Sequence, residues 1–189
     1  MPALRWADLG DGQHGLSLIN DSKFGYDAVG NTLRLTLLRS PTSPDPDADR
    51  GHQHFRYALY PHAGDWKQAM TVRHGYEFNE APYAVQVEAH AGAMPPEFSF
   101  VTLSADNVVL SAMKKAEDSD ALVFHMYEWA GKDGTIELKV PHGATGATET
   151  NLMEQPEGNA LPIDNDRIHV AVHPFEILAV RVDYPHQKQ

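Results

Sequence analysis

Apolar and polar residues alternate along most of the chain, in short runs separated by glycine, proline and turn-forming residues. In residues 33–39, for example, leucines at 33, 35 and 37 share one face of an extended strand. This pattern predicts an all-β protein. The predicted strands of the first half are 15–20, 33–39, 52–62 and 83–87.

The second half shows the same alternation more regularly. Seven short strands with turns between them predict a β-sandwich. They are 99–103, 108–114, 122–129, 135–140, 147–153, 167–172 and 175–182. A single short helix is predicted over 65–74, where Asp65 supplies an N-terminal cap and Gly75 a C-terminal stop.

The small, proline-rich segment 91–97 predicts a domain boundary. We therefore divide the chain into residues 1–92 and residues 93–189. The second part has enough strands for a complete β-sandwich, whereas the first has about four strands, too few to close a pair of sheets. We interpret residues 1–92 as part of a larger β-structure, a supersandwich.

The alternation also predicts which side chains are buried, because one face of each strand should face a core. These side chains are Phe55, Tyr57, Leu59, Ile136, Leu138, Val140, Val170, Val172 and Ile177.

Composition narrows the possible functions. The formal net charge is −11 at pH 7, which argues against partners that are polyanions, such as nucleic acids and anionic membranes. The chain has no cysteine, which excludes disulfides, thiolate-held metals and a thiol nucleophile.

Two patterns suggest metal binding. His52-Gln53-His54 places two imidazoles on one strand face, and Asp45, Asp47 and Asp49 precede them. No third ligand is specified, so we favour an exposed strand beside an acidic loop. The aspartates also fail as a calcium loop, because arginines occupy both the position of the required glycine and the position of the required acidic residue.

No catalytic residue is identifiable from the pattern. Glu128 and Glu137 lie in predicted strands, and nothing marks either as catalytic. The loop carboxylates are expected to be solvated and to keep ordinary acidity. They are Asp45, Asp47, Asp49, Glu117, Asp118 and Asp120. The three tryptophans, Trp6, Trp66 and Trp129, could stack on sugars, but we favour core or interface positions for them.

The sequence nevertheless resembles the C-terminal region of glycoside hydrolase family 38, the class II α-mannosidases, and most closely their cytosolic, vacuolar and bacterial branch. The most specific segment is Gly15-Leu16-Ser17-Leu18-Ile19-Asn20-Asp21-Ser22-Lys23-Phe24-Gly25-Tyr26-Asp27. The similarity continues through 33–41 and 57–62, and more loosely through 122–128, 151–156 and 174–177.

The resemblance implies a C-terminal, non-catalytic β-sandwich portion of an enzyme that hydrolyses terminal α-mannosides in oligosaccharide catabolism. In the family, an N-terminal domain carries the catalytic carboxylates and a divalent metal, zinc or cobalt. Residues 1–189 contain no counterpart of that domain. We therefore expect no metal ligand, no cofactor and no catalytic residue here, no activity of the chain by itself, and a parent chain that continues upstream of Met1.

The implied partners are the N-terminal catalytic domain and a mannose-containing oligosaccharide, with a homo-oligomer also open. The implied location is cytoplasmic. The alternative interpretation is an independent carbohydrate-binding β-sandwich module.

One site residue is carried over from the resemblance. Arg39 matches an arginine that lies near the sugar site of relatives, at the junction with the catalytic domain. A guanidinium suits that role because its rigid fork can bond two hydroxyls or orient a carboxylate. The alternative is a salt bridge to the acidic loop.

Overall fold

The computed structural model describes residues 2–185, in two compact units, residues 1–88 and 89–189. Their assignment to a supersandwich segment and a separate smaller sandwich domain stays a prediction. No helix among the described residues is long and apolar enough to cross a membrane.

The first unit is built on a three-stranded antiparallel sheet in the order β1-β2-β5. A separate two-stranded hairpin, β3-β4, and one helix, α1, accompany it. The elements are β1 Trp6–Gly10, β2 His14–Asn20, β3 Tyr26–Val29, β4 Thr32–Leu35, β5 Tyr57–Ala63 and α1 Thr71–Asn79.

The hairpin covers only part of the sheet. Antiparallel partners lie on the same face, so Ala7, Leu18 and Leu59 share one face across the three strands. Tyr26 of the hairpin packs with Ala7 and Leu18, and Leu18 is only 7% exposed. Leu59 is 62% exposed and Tyr57 is 52% exposed. The predicted burial of these two side chains on β5 is therefore wrong, because the hairpin's cover stops short of that strand.

Phe55, also predicted to be buried, is only half-buried, and it precedes β5. The opposite face of the sheet lies against α1. There Tyr60 donates a hydrogen bond from its hydroxyl to the carbonyl of Ala69, at 3.1 Å. On β5 the more buried face is therefore the one that carries Tyr60, and the face predicted to be buried is exposed.

The helix exists but begins and ends later than predicted. Asp65 does cap the chain, since its carboxylate accepts N–H bonds from Lys67 and Gln68 at 3.0 and 2.8 Å, but these bonds close a turn that precedes the helix. Gly75 lies inside α1 and does not end it. A Cβ at Gly75 would lie 2.8 Å from Cδ1 of Trp6, so this glycine allows close packing of the helix on β1.

Three predicted strands of the first half differ from the structure. The strand predicted at 52–62 begins only at Tyr57, so His52 and His54 do not lie on a strand face. The strand predicted at 33–39 ends at Leu35, which leaves Arg39 in an irregular segment. The strand predicted at 83–87 is not formed, and residues 81–100 contain no strand or helix.

The second unit is a two-sheet β-sandwich. A five-stranded sheet has the order β11-β10-β14-β8-β7, and a four-stranded sheet has the order β12-β13-β9-β6. The strands are β6 Thr102–Leu103, β7 Val108–Lys115, β8 Leu122–Glu128, β9 Gly134–Lys139, β10 Gly146–Thr150, β11 Pro156–Ala160, β12 Ile163–Asp164, β13 Arg167–Val172 and β14 Ile177–Asp183. The all-β prediction with one short helix is confirmed.

The core of the sandwich lies between the two sheets and includes five of the side chains predicted to be buried. They are Ile136, Leu138, Val140, Val170 and Val172, each no more than 2% exposed. Ile177 is 67% exposed, so its predicted burial is wrong. On β14 the residues that point into the core are Leu178, Val180 and Val182, on the face opposite to Ile177. The run is apolar on both faces, and alternation could not decide between them.

Candidate functional site

Arg39 lies in the irregular segment 36–56 between β4 and β5, with its side chain exposed. The Asp49 carboxylate folds this segment back on itself, because one of its oxygens accepts backbone N–H bonds from Ser40 at 2.8 Å and from Arg39 at 3.3 Å. Ser40 and Asp49 both adopt positive φ, 49° and 62°. The backbone at Arg39 is thus held by the acidic loop.

The Arg39 guanidinium is not held by that loop. Asp47 pairs with Arg50 at 2.5 Å, and Asp49 is used by the backbone. Within residues 2–185, no hydrogen bond or ion pair involves the Arg39 guanidinium. The predicted alternative, a salt bridge from Arg39 to the acidic loop, is therefore not formed, and the guanidinium remains available to an external partner.

His52 and His54 lie in the same segment and are exposed, with ring centroids 5.2 Å apart. The three aspartates of the loop do not join them, since no group of three or more His, Cys, Asp or Glu residues in the described part of the chain is placed to hold a metal. These residues do not fit the divalent metal that the resemblance implies.

A cleft of about 240 Å³ lies among the start of β1, the turn after β2 and the end of α1. Two ion pairs mark it, Arg5 with Glu80 at 3.2 Å and Arg56 with Asp21 at 2.8 Å. The hydrogen bond from Arg56 keeps the pKa of Asp21 below its usual value. Asp21 is therefore a paired anion, unsuited to donate a proton. Sequence analysis missed this cleft, because its residues come from segments far apart in the chain.

A buried polar cluster lies beneath α1 and contains serine, histidine and aspartate. Asp8 Oδ2 lies 2.7 Å from His62 Nε2 and accepts a bond from the Ser17 hydroxyl at 2.7 Å, and Ser17 lies 2.9 Å from the Thr71 hydroxyl. In a catalytic triad the histidine lies between the serine and the aspartate. Here serine and histidine bind the same aspartate oxygen, so the cluster ties β1, β2, β5 and α1 together and does not activate a nucleophile.

In the second unit, Glu128 is the buried carboxylate, at 2% exposed. Its oxygens accept bonds from the Asn107 side chain at 2.8 Å and from the backbone N–H groups of Ala130, Gly131 and Phe175 at 2.8, 2.7 and 3.0 Å. Burial raises the pKa of Glu128, but these four donors outweigh burial and lower the pKa to about 2. Glu128 is a structural anion and cannot act as a general acid near neutral pH.

Two further carboxylates singled out in the sequence are paired with arginines. Glu137 pairs with Arg167 on the neighbouring strand. Asp118 lies 3.0 Å from Arg181, and the hydrogen bond from Arg181 lowers the pKa of Asp118. The expectation of ordinary acidity is wrong for Asp118, and its shift is opposite to the one that a general acid needs.

The three tryptophans are packed against other residues and are not exposed for stacking on a sugar. Trp129 is 8% exposed and donates its indole N–H to the carbonyl of Asp106 at 3.0 Å. Trp6 and Trp66 are half-buried, with ring centroids 5.3 Å apart. None of the three presents an open platform.

Comparison with protein-family models gives two matches. Residues 107–180 match the glycosyl hydrolases family 38 C-terminal beta sandwich domain, which corresponds to the sandwich of the second unit. Residues 1–47 match the glycosyl hydrolases family 38 C-terminal domain, and this match includes Arg39.

Among curated proteins, the chain is similar to alpha-mannosidase G of Dictyostelium discoideum, with 32% identity over 94% of this chain. It is also similar to human alpha-mannosidase 2C1, with 34% identity over 94% of this chain. In both cases the chain spans only 17% of the relative's length.

Among solved structures, two from Enterococcus faecalis have the same fold. One is a protein in glycosyl hydrolase family 38, with a TM-score of 0.77 and 21% identity over 96% of this chain and 22% of the other. The second is an alpha-mannosidase, also with a TM-score of 0.77, at 22% identity over 97% of this chain and 21% of the other.

Proposed function

The chain belongs to the C-terminal region of glycoside hydrolase family 38, and from this membership we propose that it is the non-catalytic C-terminal part of a larger α-mannosidase. In this proposal it packs on an N-terminal catalytic domain and helps to shape the pocket that binds terminal mannose. The catalytic carboxylates and the divalent metal, zinc or cobalt, belong to that other domain.

The observation that carries the proposal is the open part of the first unit's sheet. Leu18 is buried by the hairpin, whereas Leu59, its partner on the same face of the neighbouring strand, is 62% exposed. A sheet face that is half covered and continues as exposed apolar surface is typical of a surface that packs against another part of the protein.

Arg39 supplies the proposed link to substrate. Its backbone is held by Asp49, its guanidinium is unpaired among the described residues, and its side chain is exposed. A fixed backbone with a free guanidinium can reach a sugar hydroxyl or a catalytic carboxylate across a domain junction. The alternative, an independent carbohydrate-binding module, lacks support from the tryptophans, because none of them is exposed.

The test is reconstitution from two separately produced parts. Residues 1–189 and the preceding part of the parent chain are mixed, separated on a sizing column and assayed with an aryl α-mannoside and added zinc or cobalt. We expect a stable complex that hydrolyses the substrate, and no activity from residues 1–189 by themselves.

Matched variants locate the contact. Leu59→Lys should weaken the complex, because it places a charge in the buried interface. Val29→Lys should not, although Val29 has a similar exposure of 60%. The proposal fails if no complex forms, or if residues 1–189 hydrolyse the substrate and one Asp or Glu substitution within them abolishes that activity.

A further inference from the structure

Residues 83–87 have the pattern of a β-strand but no strand partner. Tyr83, Val85 and Val87 are 93%, 65% and 66% exposed, and they alternate with Ala84 and Gln86. The segment therefore combines the pattern of a strand with an exposed apolar side.

The alternation indicates the kind of structure that this segment fits. Side chains of a strand point alternately to opposite faces. In an extended conformation Tyr83, Val85 and Val87 would therefore share one apolar face, and Gln86 would lie on the other face. A strand that is apolar on one face and polar on the other belongs to a sheet with one buried and one solvated face. The sequence thus specifies a sheet position that this segment does not occupy among the described residues.

The backbone of residues 83–87 is also suited to pair with the edge of a β-sheet. Pro82 precedes it, and proline disfavours helix at the residue before it and is tolerated at the start of a strand. An extended segment with unpaired backbone groups can add to the edge of an existing sheet, where backbone hydrogen bonds give affinity and alternate side chains give specificity.

The partner sheet for residues 83–87 can be assigned to one part of the protein. Resting on the proposed function, we propose that residues 83–87 form a β-strand that pairs with a sheet edge in the preceding part of the parent α-mannosidase chain. The matching relatives extend well beyond this region, since the chain spans 17% of their length, and both matching family models describe C-terminal domains. A second copy is a poorer partner, because a net charge of −11 on each chain opposes self-association.

Hydrogen exchange with residue-level resolution tests the strand. In residues 1–189 by themselves, the amides of 83–87 should exchange at the rates of an unstructured peptide. In the full-length protein or the reconstituted complex, alternate amides of the segment should slow by at least about tenfold, because only every second N–H of an edge strand faces its partner.

Proline variants supply the matched control. Val85→Pro and Gln86→Pro each remove one backbone N–H, and one of the two must remove a bond to the partner strand. That variant should abolish the slow exchange of 83–87 in the full-length protein, whereas Ala91→Pro, which lies beyond the strand pattern, should not. All three should leave the unfolding midpoint of residues 1–189 unchanged, since no regular element is disturbed.

The outcomes separate this inference from the proposed function. A complex that forms while 83–87 exchange freely overturns the strand but leaves the proposed function intact. The absence of a complex overturns both. Slow exchange that disappears on dilution, together with a halving of the molecular mass, identifies a second copy as the partner and overturns the assignment to the parent chain.

Discussion

The backbone N–H of Phe175 donates a hydrogen bond of 3.0 Å to the buried carboxylate of Glu128, 47 residues earlier in the chain. The same carboxylate binds Ala130 and Gly131 just after β8, so it fastens the turn that follows β8 to the turn that precedes β14. This link holds one end of two neighbouring strands of the five-stranded sheet, and it gives Glu128 a structural role.

Replacing Glu128 should destabilise the second unit. Glu128→Gln keeps the shape of the side chain but turns an N–H₂ group toward backbone donors, leaving buried groups unsatisfied. We expect a loss of about 2–3 kcal/mol in the free energy of unfolding. Denaturant titration can follow Trp129 as the single reporter if Trp6 and Trp66 are replaced by phenylalanine. Glu97→Gln, at an exposed position, is the control and should change the value little.

The same carboxylate predicts a dependence of stability on acid. The pKa of Glu128 is lowered from 4.5 to about 2 in the folded chain, so its contribution is present above pH 4.5 and is lost as the pH falls toward 2. The shift corresponds to about 3 kcal/mol. Unfolding measured between pH 7 and pH 2 should therefore show a steeper loss for the native chain than for Glu128→Gln. Equal slopes would mean that Glu128 titrates normally.

Two isoleucines of the sandwich should respond differently to truncation. Ile136→Ala opens a cavity between the sheets and should cost about 2–5 kcal/mol, because Ile136 is 2% exposed. Ile177→Ala should cost less than about 0.5 kcal/mol in residues 1–189, because its side chain is 67% exposed. Denaturant unfolding of both variants tests the assignment, and equal losses would contradict it.

Gly75 should resist substitution although it lies in a helix. Alanine favours helix by about 1 kcal/mol over glycine, but its Cβ would meet the Trp6 ring at 2.8 Å. We expect a net loss of about 1–2 kcal/mol in stability of the first unit. Gly25→Ala serves as the control, since its Cβ would contact Thr36 at an ordinary 3.5 Å. A more stable Gly75→Ala variant would show that Trp6 can move away.

Arg39 should matter for turnover and not for folding. In the full-length parent, Arg39→Ala should lower kcat/KM by about tenfold or more, as loss of a charged hydrogen bond of about 1.5–3 kcal/mol implies. Arg39→Lys should restore only part of it, because an ammonium cannot form the two parallel bonds of a guanidinium. Arg34→Ala is the control, since Arg34 is already paired with Asp27 at 2.9 Å. Kinetics unchanged in Arg39→Ala would remove it from the site.

The sequence by itself determined the fold class and most strands of the second unit. Alternation is a local property, and where one face is apolar and the other polar, as at Ile136 and Leu138, it also identifies the buried side. Capping chemistry was readable only in part, since Asp65 accepts backbone N–H bonds as predicted but closes a turn that precedes the helix. The resemblance of the chain to glycoside hydrolase family 38 could also be recognised, because sequence similarity does not depend on knowing the contacts between residues.

The tertiary structure decided what depends on distant partners. Alternation places Leu59 on an apolar face, but whether anything covers that face depends on how far the β3-β4 hairpin reaches. Gly75 looked like a helix stop until Trp6, 69 residues earlier, was found against it. Glu128 looked like any strand glutamate, because its donors come from both ends of the sandwich sequence. Burial and pKa arise from such convergence in space, which a linear pattern does not contain.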